Sequence, residues 1–322
     1  MHSQSVKTKE SKFISIVVYV HNDGSRIPEF FGKVLPVLKE GFERYEIICV
    51  NDASADDSVE ILRTYFGQSG DAGNGNMIQI IHMSCFQGIE ASMNAGRDIA
   101  IGDFVYEFDD MDCDYPVEYI RQVYGRLLEG YDVVAAGRKK HRRGTSEIFY
   151  FLYNMTSRSG NRIGQETFRI LSRRAINRVM SMGKYIPYRK AVYRNCGLKT
   201  DTLYYEPEGS SRCRKKNHRE RAGLALDSFI YFTNGMESLS LILSVVFLLV
   251  SLCTGLYIVG SVFSDSRPVE GWMSMMGFLS AGFFGVFSLL TIMLKYLSVM
   301  LNLIFKYQRY LVEGVEKITG NS

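Results

Sequence analysis

Residues 13–23 read FISIVVYVHND, an almost unbroken apolar and β-branched run that ends in three polar side chains. A strand without polar and apolar alternation is covered on both faces, as strands of a parallel α/β sheet are. The same pattern repeats along the chain. Residues 45–50 (YEIICV), 77–82 (MIQIIH), 104–108 (FVYEF) and 131–136 (YDVVAA) are further short apolar runs. Helical periodicity fills the gaps at 27–38, from 59 onward, at 88–100 and at 117–128. Alternating strands and helices predict a doubly wound α/β sheet, whose ligands gather at the carboxyl ends of the strands.

Those ends are polar: His21-Asn22-Asp23, Asn51-Asp52-Ala53-Ser54, and Asp109-Asp110-Met111-Asp112-Cys113-Asp114. Ser54 or Asp56 can cap the helix that follows the second strand. No G-x-G-x-x-G follows the first strand and the chain has no G-x-x-x-x-G-K-[ST], which argues against a dinucleotide cofactor and a P-loop nucleotidase. Four aspartates within six residues suit a hard divalent cation, Mg²⁺ or Mn²⁺, which prefers oxygen ligands. After the fifth strand, Arg138-Lys139-Lys140-His141-Arg142-Arg143 turns cations toward the same edge, and guanidinium groups bind phosphate bidentately.

The 322 residues are 46% hydrophobic and 22% charged, ordinary globular usage that excludes disorder and fibrous repeats. A net charge of +4 is too mild to imply nucleic acid. Six cysteines without a C-x-x-C pair suggest neither a disulfide framework nor a zinc site, and fit a reducing compartment. The start, MHSQSVKTKESK, has no apolar core and is not expected to be a signal peptide. Residues 239–263 carry no charge, and a second apolar run fills 272–294. A helix over the first run would be about 37 Å long, enough for a hydrocarbon core of about 30 Å. Two transmembrane helices in a hairpin are therefore expected. Arg212, Arg214, Lys215, Lys216, Arg219 and Arg221 precede the first run; Lys295, Lys306 and Arg309 follow the second. Positive charge on that side predicts a cytoplasmic N-terminal domain and cytoplasmic termini. The expected division is a catalytic domain at 1–211, a basic and amphipathic juxtamembrane segment at 212–237, and the hairpin with its tail at 238–322.

Five stretches carry a family resemblance: SIVVYVHND (15–23), VNDASADDS (50–58), CFQGIEASMNAG (85–96), GDFVYEFDDMDCDYP (102–116) and TFRILSRRAI (167–176). In this order they resemble the motifs of the GT-A glycosyltransferases of family 2, within them the membrane-anchored bacterial polyprenyl-phosphate glycosyltransferases. The resemblance implies a Rossmann-like GT-A domain followed by a two-helix transmembrane hairpin at the bacterial inner membrane. It implies inverting transfer of one sugar from a nucleotide sugar, UDP-linked before GDP-linked, to polyprenyl (undecaprenyl) phosphate. Mg²⁺ or Mn²⁺ is the implied cofactor and a homo-oligomer the implied assembly. Carried over residue by residue, the donor falls to Asn22, Asp23, Asp52, Ser54, Gly88 and Asp109, with Asp52 toward the base. The metal falls to Asp109, Asp110 and Asp112, the chemistry to Asp110, Glu166 and Arg169, and the acceptor phosphate to Arg138, Arg142 and Arg143.

Two departures from the motifs stand out. Ungapped, Met111 falls on the second family aspartate and Cys113 on the glutamine after it; a slide of one residue makes Asp110-Met111-Asp112 a D-x-D. Thr167 occupies the family's other aspartate position, with Glu166 just ahead. A catalytically degenerate homologue acting as a membrane-bound partner is the alternative these departures leave open.

Overall fold

The computed structural model describes residues 9–68, 70, 75–139, 166–182, 188–208, 246, 249, 271–305 and 310–318. Two compact units divide the chain: one comprises Met1–Phe151, Asn161–His218 and Tyr307–Ser322, the other Leu152–Gly160 and Arg219–Lys306.

The first unit is built on an eight-stranded sheet. Its parallel centre consists of β1 (Ile14–Val20), β2 (Tyr45–Asn51), β3 (Met77–Met83) and β4 (Phe104–Phe108). β5 (Val133–Arg138), β6 (Glu166–Ser172), β7 (Thr200–Tyr205) and β8 (Val312–Ile318) complete the order β7-β5-β6-β4-β1-β2-β3-β8. The unbroken apolar runs are explained by burial on both faces. Ile14, Ile16, Val18 and Val20 pack with one core, under α1 (Ile27–Gly41), α2 (Ser58–Gln68) and α4 (Glu118–Leu128). On the other face α3 (Ile89–Ile99) lies so close to β1 and β2 that a Cβ on Gly96 would collide with Val17 and Val50. Two short helices follow β6, α5 (Arg173–Ser181) and α6 (Arg189–Asn195).

The sheet is mixed, where the strand-helix alternation led to a simple doubly wound one. β6 runs antiparallel between β4 and β5, pairing Glu107 with Arg169. The chain after the second apolar run also does not end as a tail. β8 adds antiparallel to β3 at the sheet edge. Arg63 grips Glu316 with both ends of its fork, Nε to Oε1 at 2.8 Å and Nη2 to Oε2 at 2.9 Å.

The membrane expectation is corrected here. The stretches at 212–237 and 239–263 lie outside the described residues. The second apolar run belongs to α7 (Trp272–Phe305), which continues through Lys295 to Phe305. Among the described residues, no helix is long and apolar enough to cross a membrane. The integral, two-span localisation is overturned, and the cytoplasmic orientation deduced from those spans falls with it.

Candidate active site

The site is built from polar turns at the ends of parallel strands. Asn22 and Ala53 both have positive φ, 53° and 49°, so the turns after β1 and β2 curl back on each other. Asn22 tolerates that region through its short amide; Ala53 adopts it against its ordinary preference. Asn22 is the clasp: its Oδ1 accepts from the amides of Ala55 at 2.7 Å and Asp56 at 3.3 Å, and its amide donates to Ser54 Oγ at 3.1 Å. Asp23 is buried, with its amide donating to Ser58 Oγ. Asp56 rather than Ser54 receives the amide of Ser58 at the start of α2, at 3.1 Å. Asn22, Asp23 and Ser54 are thus brought together in one turn pair.

Asp52 does something its position did not reveal. Fully buried, it accepts from the amides of Gln87 at 2.8 Å and Gly88 at 2.9 Å, and from the Tyr19 hydroxyl at 2.9 Å. It therefore caps the loop that enters α3, not α2. Gly88 has φ 81°, a conformation glycine takes without a Cβ penalty. Tyr19 supplies the third hydrogen bond. His21 Nδ1 lies 2.6 Å from the Asp52 carbonyl, and its ring meets the half-exposed Phe86 at 4.7 Å between centroids.

The acidic turn after β4 divides between two neighbourhoods. Asp112 lies 3.2 Å from Arg26 and 3.9 Å from Arg138; Arg138 also meets Asp114 at 2.6 Å. Arg26 reaches Asp23 at 3.7 Å, so one arginine joins the ends of β1 and β4. Burial first, then the Asp110 charge, raises the pKa of Asp112. The amide of Asp112 donates to Asp110 Oδ1. Met111 is buried in the core, so its apolar side chain is absorbed by packing instead of standing among ligands. Burial pushes the Cys113 thiol up to about 11, which keeps it neutral and a poor ligand at neutral pH. Among the described residues no group of three or more His, Cys, Asp or Glu forms a metal cage. Asp110 and Asp112 nevertheless fit Mg²⁺ or Mn²⁺, since such cations are commonly held by one or two carboxylates together with substrate phosphates.

Asp109 turns to the second neighbourhood, a buried ionic network. Arg169 Nη2 meets Asp109 Oδ2 at 2.6 Å, its Nη1 meets Glu107 at 2.8 Å, and its Nε meets Glu166 at 3.3 Å. Arg189 meets Asp109 Oδ1 at 2.7 Å, Glu107 at 2.7 Å and Glu90 at 3.0 Å. Burial works against the charge on Asp109, but Arg169, then Arg189 and Lys190, outweigh it and hold its pKa well below the carboxylate range. Glu166 also accepts from Arg194 at 3.1 Å. Tyr193 donates to Glu107 at 2.7 Å and accepts from Arg97. Asp109, Glu166 and Arg169 are brought together; Arg142 and Arg143 lie outside the described residues.

Glu107, Arg189, Arg194 and Arg97 escaped the reading of the sequence. The available signal was Glu107 itself, an acid in the middle of the buried strand FVYEF, which must find cationic or hydrogen-bonding partners.

Residues 15–197 match the model of Glycosyl transferase family 2. An uncharacterized glycosyltransferase of Synechocystis sp. is 24% identical over 82% of this chain and 83% of its own. The bactoprenol glucosyl transferase of Shigella phage SfV is 25% identical over 82% of this chain and 86% of its own. Among solved structures, glucosyl-3-phosphoglycerate synthase from Mycobacterium tuberculosis in complex with phosphoglyceric acid superposes with a TM-score of 0.50 at 15% identity, over 68% of this chain and 78% of that one. That likeness shows the Rossmann-like GT-A fold. The family match spans more than half of the chain and encloses every candidate residue from Asn22 to Arg169, so the chain belongs to glycosyl transferase family 2 and is a glycosyltransferase.

Proposed function

We propose that the enzyme moves one sugar from a nucleotide sugar, UDP-linked before GDP-linked, to the phosphate of a polyprenol, with inversion at the anomeric carbon. The observation that carries this reading is the juxtaposition of acid and arginine at one sheet edge. Asp110 and Asp112 stand after β4 with Arg26 and Arg138 beside Asp112, while Asp52, after β2, holds the loop at Gly88 that follows β3. A nucleoside diphosphate and a phosphate acceptor both need cations in such a place. The relative from Shigella phage SfV, named a bactoprenol glucosyl transferase, supports the lipid phosphate as acceptor.

The transfer is a single displacement. A phosphate oxygen of the acceptor bonds to the anomeric carbon as the bond from that carbon to the nucleoside diphosphate breaks, which inverts the centre. A phosphate monoester is already anionic at pH 7, so it requires little help from a general base. It requires alignment and charge neutralisation. A Mg²⁺ or Mn²⁺ ion held by Asp110 and Asp112 would neutralise the charge of the leaving diphosphate. Arg138, one tenth exposed, is poised to bind the acceptor phosphate while Asp114 and Asp112 hold it in place. Glu166 accepts from Arg169 and Arg194 and orients those cations.

The test is calorimetric titration of the purified chain with UDP and with GDP, each with and without Mn²⁺. Metal-dependent binding of UDP is expected. A folded protein that takes up neither nucleotide would contradict the reading.

A further inference from the structure

β8 is an odd stabiliser. It buries little, since its residues are mostly exposed along the sheet edge. Yet the two residues that lead into it are tied closely to the loop before α3. Gln87 Nε2 donates to the Leu311 carbonyl at 2.6 Å, and the Leu311 amide donates back to Gln87 Oε1 at 2.8 Å. The Ser84 amide and hydroxyl donate to the same carbonyl at 3.1 and 3.2 Å. Tyr310 donates to Asp98 in the last turn of α3 at 3.2 Å. Gln87 is held at both ends: its side chain by Leu311, its backbone amide by Asp52 at 2.8 Å. Further along, Glu316 joins Arg63 on α2 and His82 on β3.

The loop at 84–88 needs such ties. It contains Gly88 at positive φ, and it carries Phe86 out beside His21. Backbone this permissive settles in one conformation only when its neighbours fix it. We infer that Gln87 is a positioning residue for the nucleotide donor, through which the C-terminal strand sets the loop that Asp52 holds. Donor affinity then depends on residues 224 positions away in sequence. This inference rests on the proposed reading of the turns after β1 and β2 as the donor site.

The test uses the full chain and two variants, Gln87→Ala and Glu316→Ala, titrated with UDP in the presence of Mn²⁺ and assayed for transfer. Gln87→Ala loses two hydrogen bonds and is expected to bind UDP about tenfold more weakly. Its KM for the donor rises with it, while the KM for the acceptor and the thermal midpoint stay near those of the parent. Glu316→Ala shifts the same constants in the same direction, by less. A merely structural role would lower the midpoint and leave the donor KM of the folded fraction unmoved. If Gln87→Ala does not fold, Glu316→Ala, which leaves the loop's own groups in place, decides alone. Parental UDP affinity in the folded variants overturns the inference and leaves the functional reading standing. A parent that binds no nucleotide overturns both.

Discussion

Arg169 and Asp109 meet across the antiparallel seam of β6 and β4, Nη2 to Oδ2 at 2.6 Å, with both side chains buried. Their contact is the centre of a network that reaches Glu107, Glu166 and Arg189. A buried pair gains little over well-packed apolar residues, but removing one member leaves an orphan charge in the interior. Arg169→Met is therefore expected to cost about 3–5 kcal/mol of stability. Adding Asp109→Asn, which removes the negative charge that Arg169 no longer balances, is expected to restore part of that loss. Urea unfolding of the parent, the two single variants and the double variant measures both effects and their coupling.

In the proposed reading Asp110 and Asp112 are the carboxylates that hold the cation. Asp110→Asn and Asp112→Asn are each expected to lower the transfer rate about a hundredfold or more. Nucleotide binding by these variants should become insensitive to Mn²⁺, as titration with and without the metal will read.

Gly96 is the closest point between α3 and the sheet. Gly96→Ala forces the helix away from Val17 and Val50 and is expected to destabilise the fold by about 1–3 kcal/mol. Because Gly88 begins the same helix, UDP binding should weaken as well, a second readout in the same titration.

Acid should loosen β8 selectively. The hydrogen bond from Arg63 holds the Glu316 carboxyl at about 2, below the usual 4.5, with burial opposing and His82 assisting. A group whose pKa is depressed by folding contributes stability above its unfolded value and loses it as pH falls toward the folded one. Amide protection at 312–318 is expected to fall between about pH 4.5 and about pH 2, before that of β1 or β2. Glu316→Gln should show the weakened protection already at pH 7 and remove this pH dependence.

The parallel centre of the sheet was legible because a strand buried on both faces has nowhere to put a polar residue. FISIVVYV and YEIICV betray themselves by composition, and their polar stops mark the site. β6 was hidden because its middle holds Arg169, which reads as exposed until Glu107 and Asp109 are placed opposite it. β8 was hidden because VEGVEKI is a polar edge strand whose partner, β3, lies far away in sequence. The expected spans were read from apolarity alone, and the described part of α7 does not sustain them. Asp52 could be assigned to a turn but not to a particular helix, since only the fold brings Gln87 and Gly88 to it.

The most direct measurement is transfer itself. The full chain is incubated with Mn²⁺, undecaprenyl phosphate in detergent, and radiolabelled UDP-hexoses or GDP-mannose in turn, and the label is followed into the organic phase. One nucleotide sugar is expected to label the lipid, only when the phosphate is present on the polyprenol, and not in Asp112→Asn. No labelled lipid from any donor, or equal labelling of polyprenol that lacks phosphate, would contradict the proposed reaction.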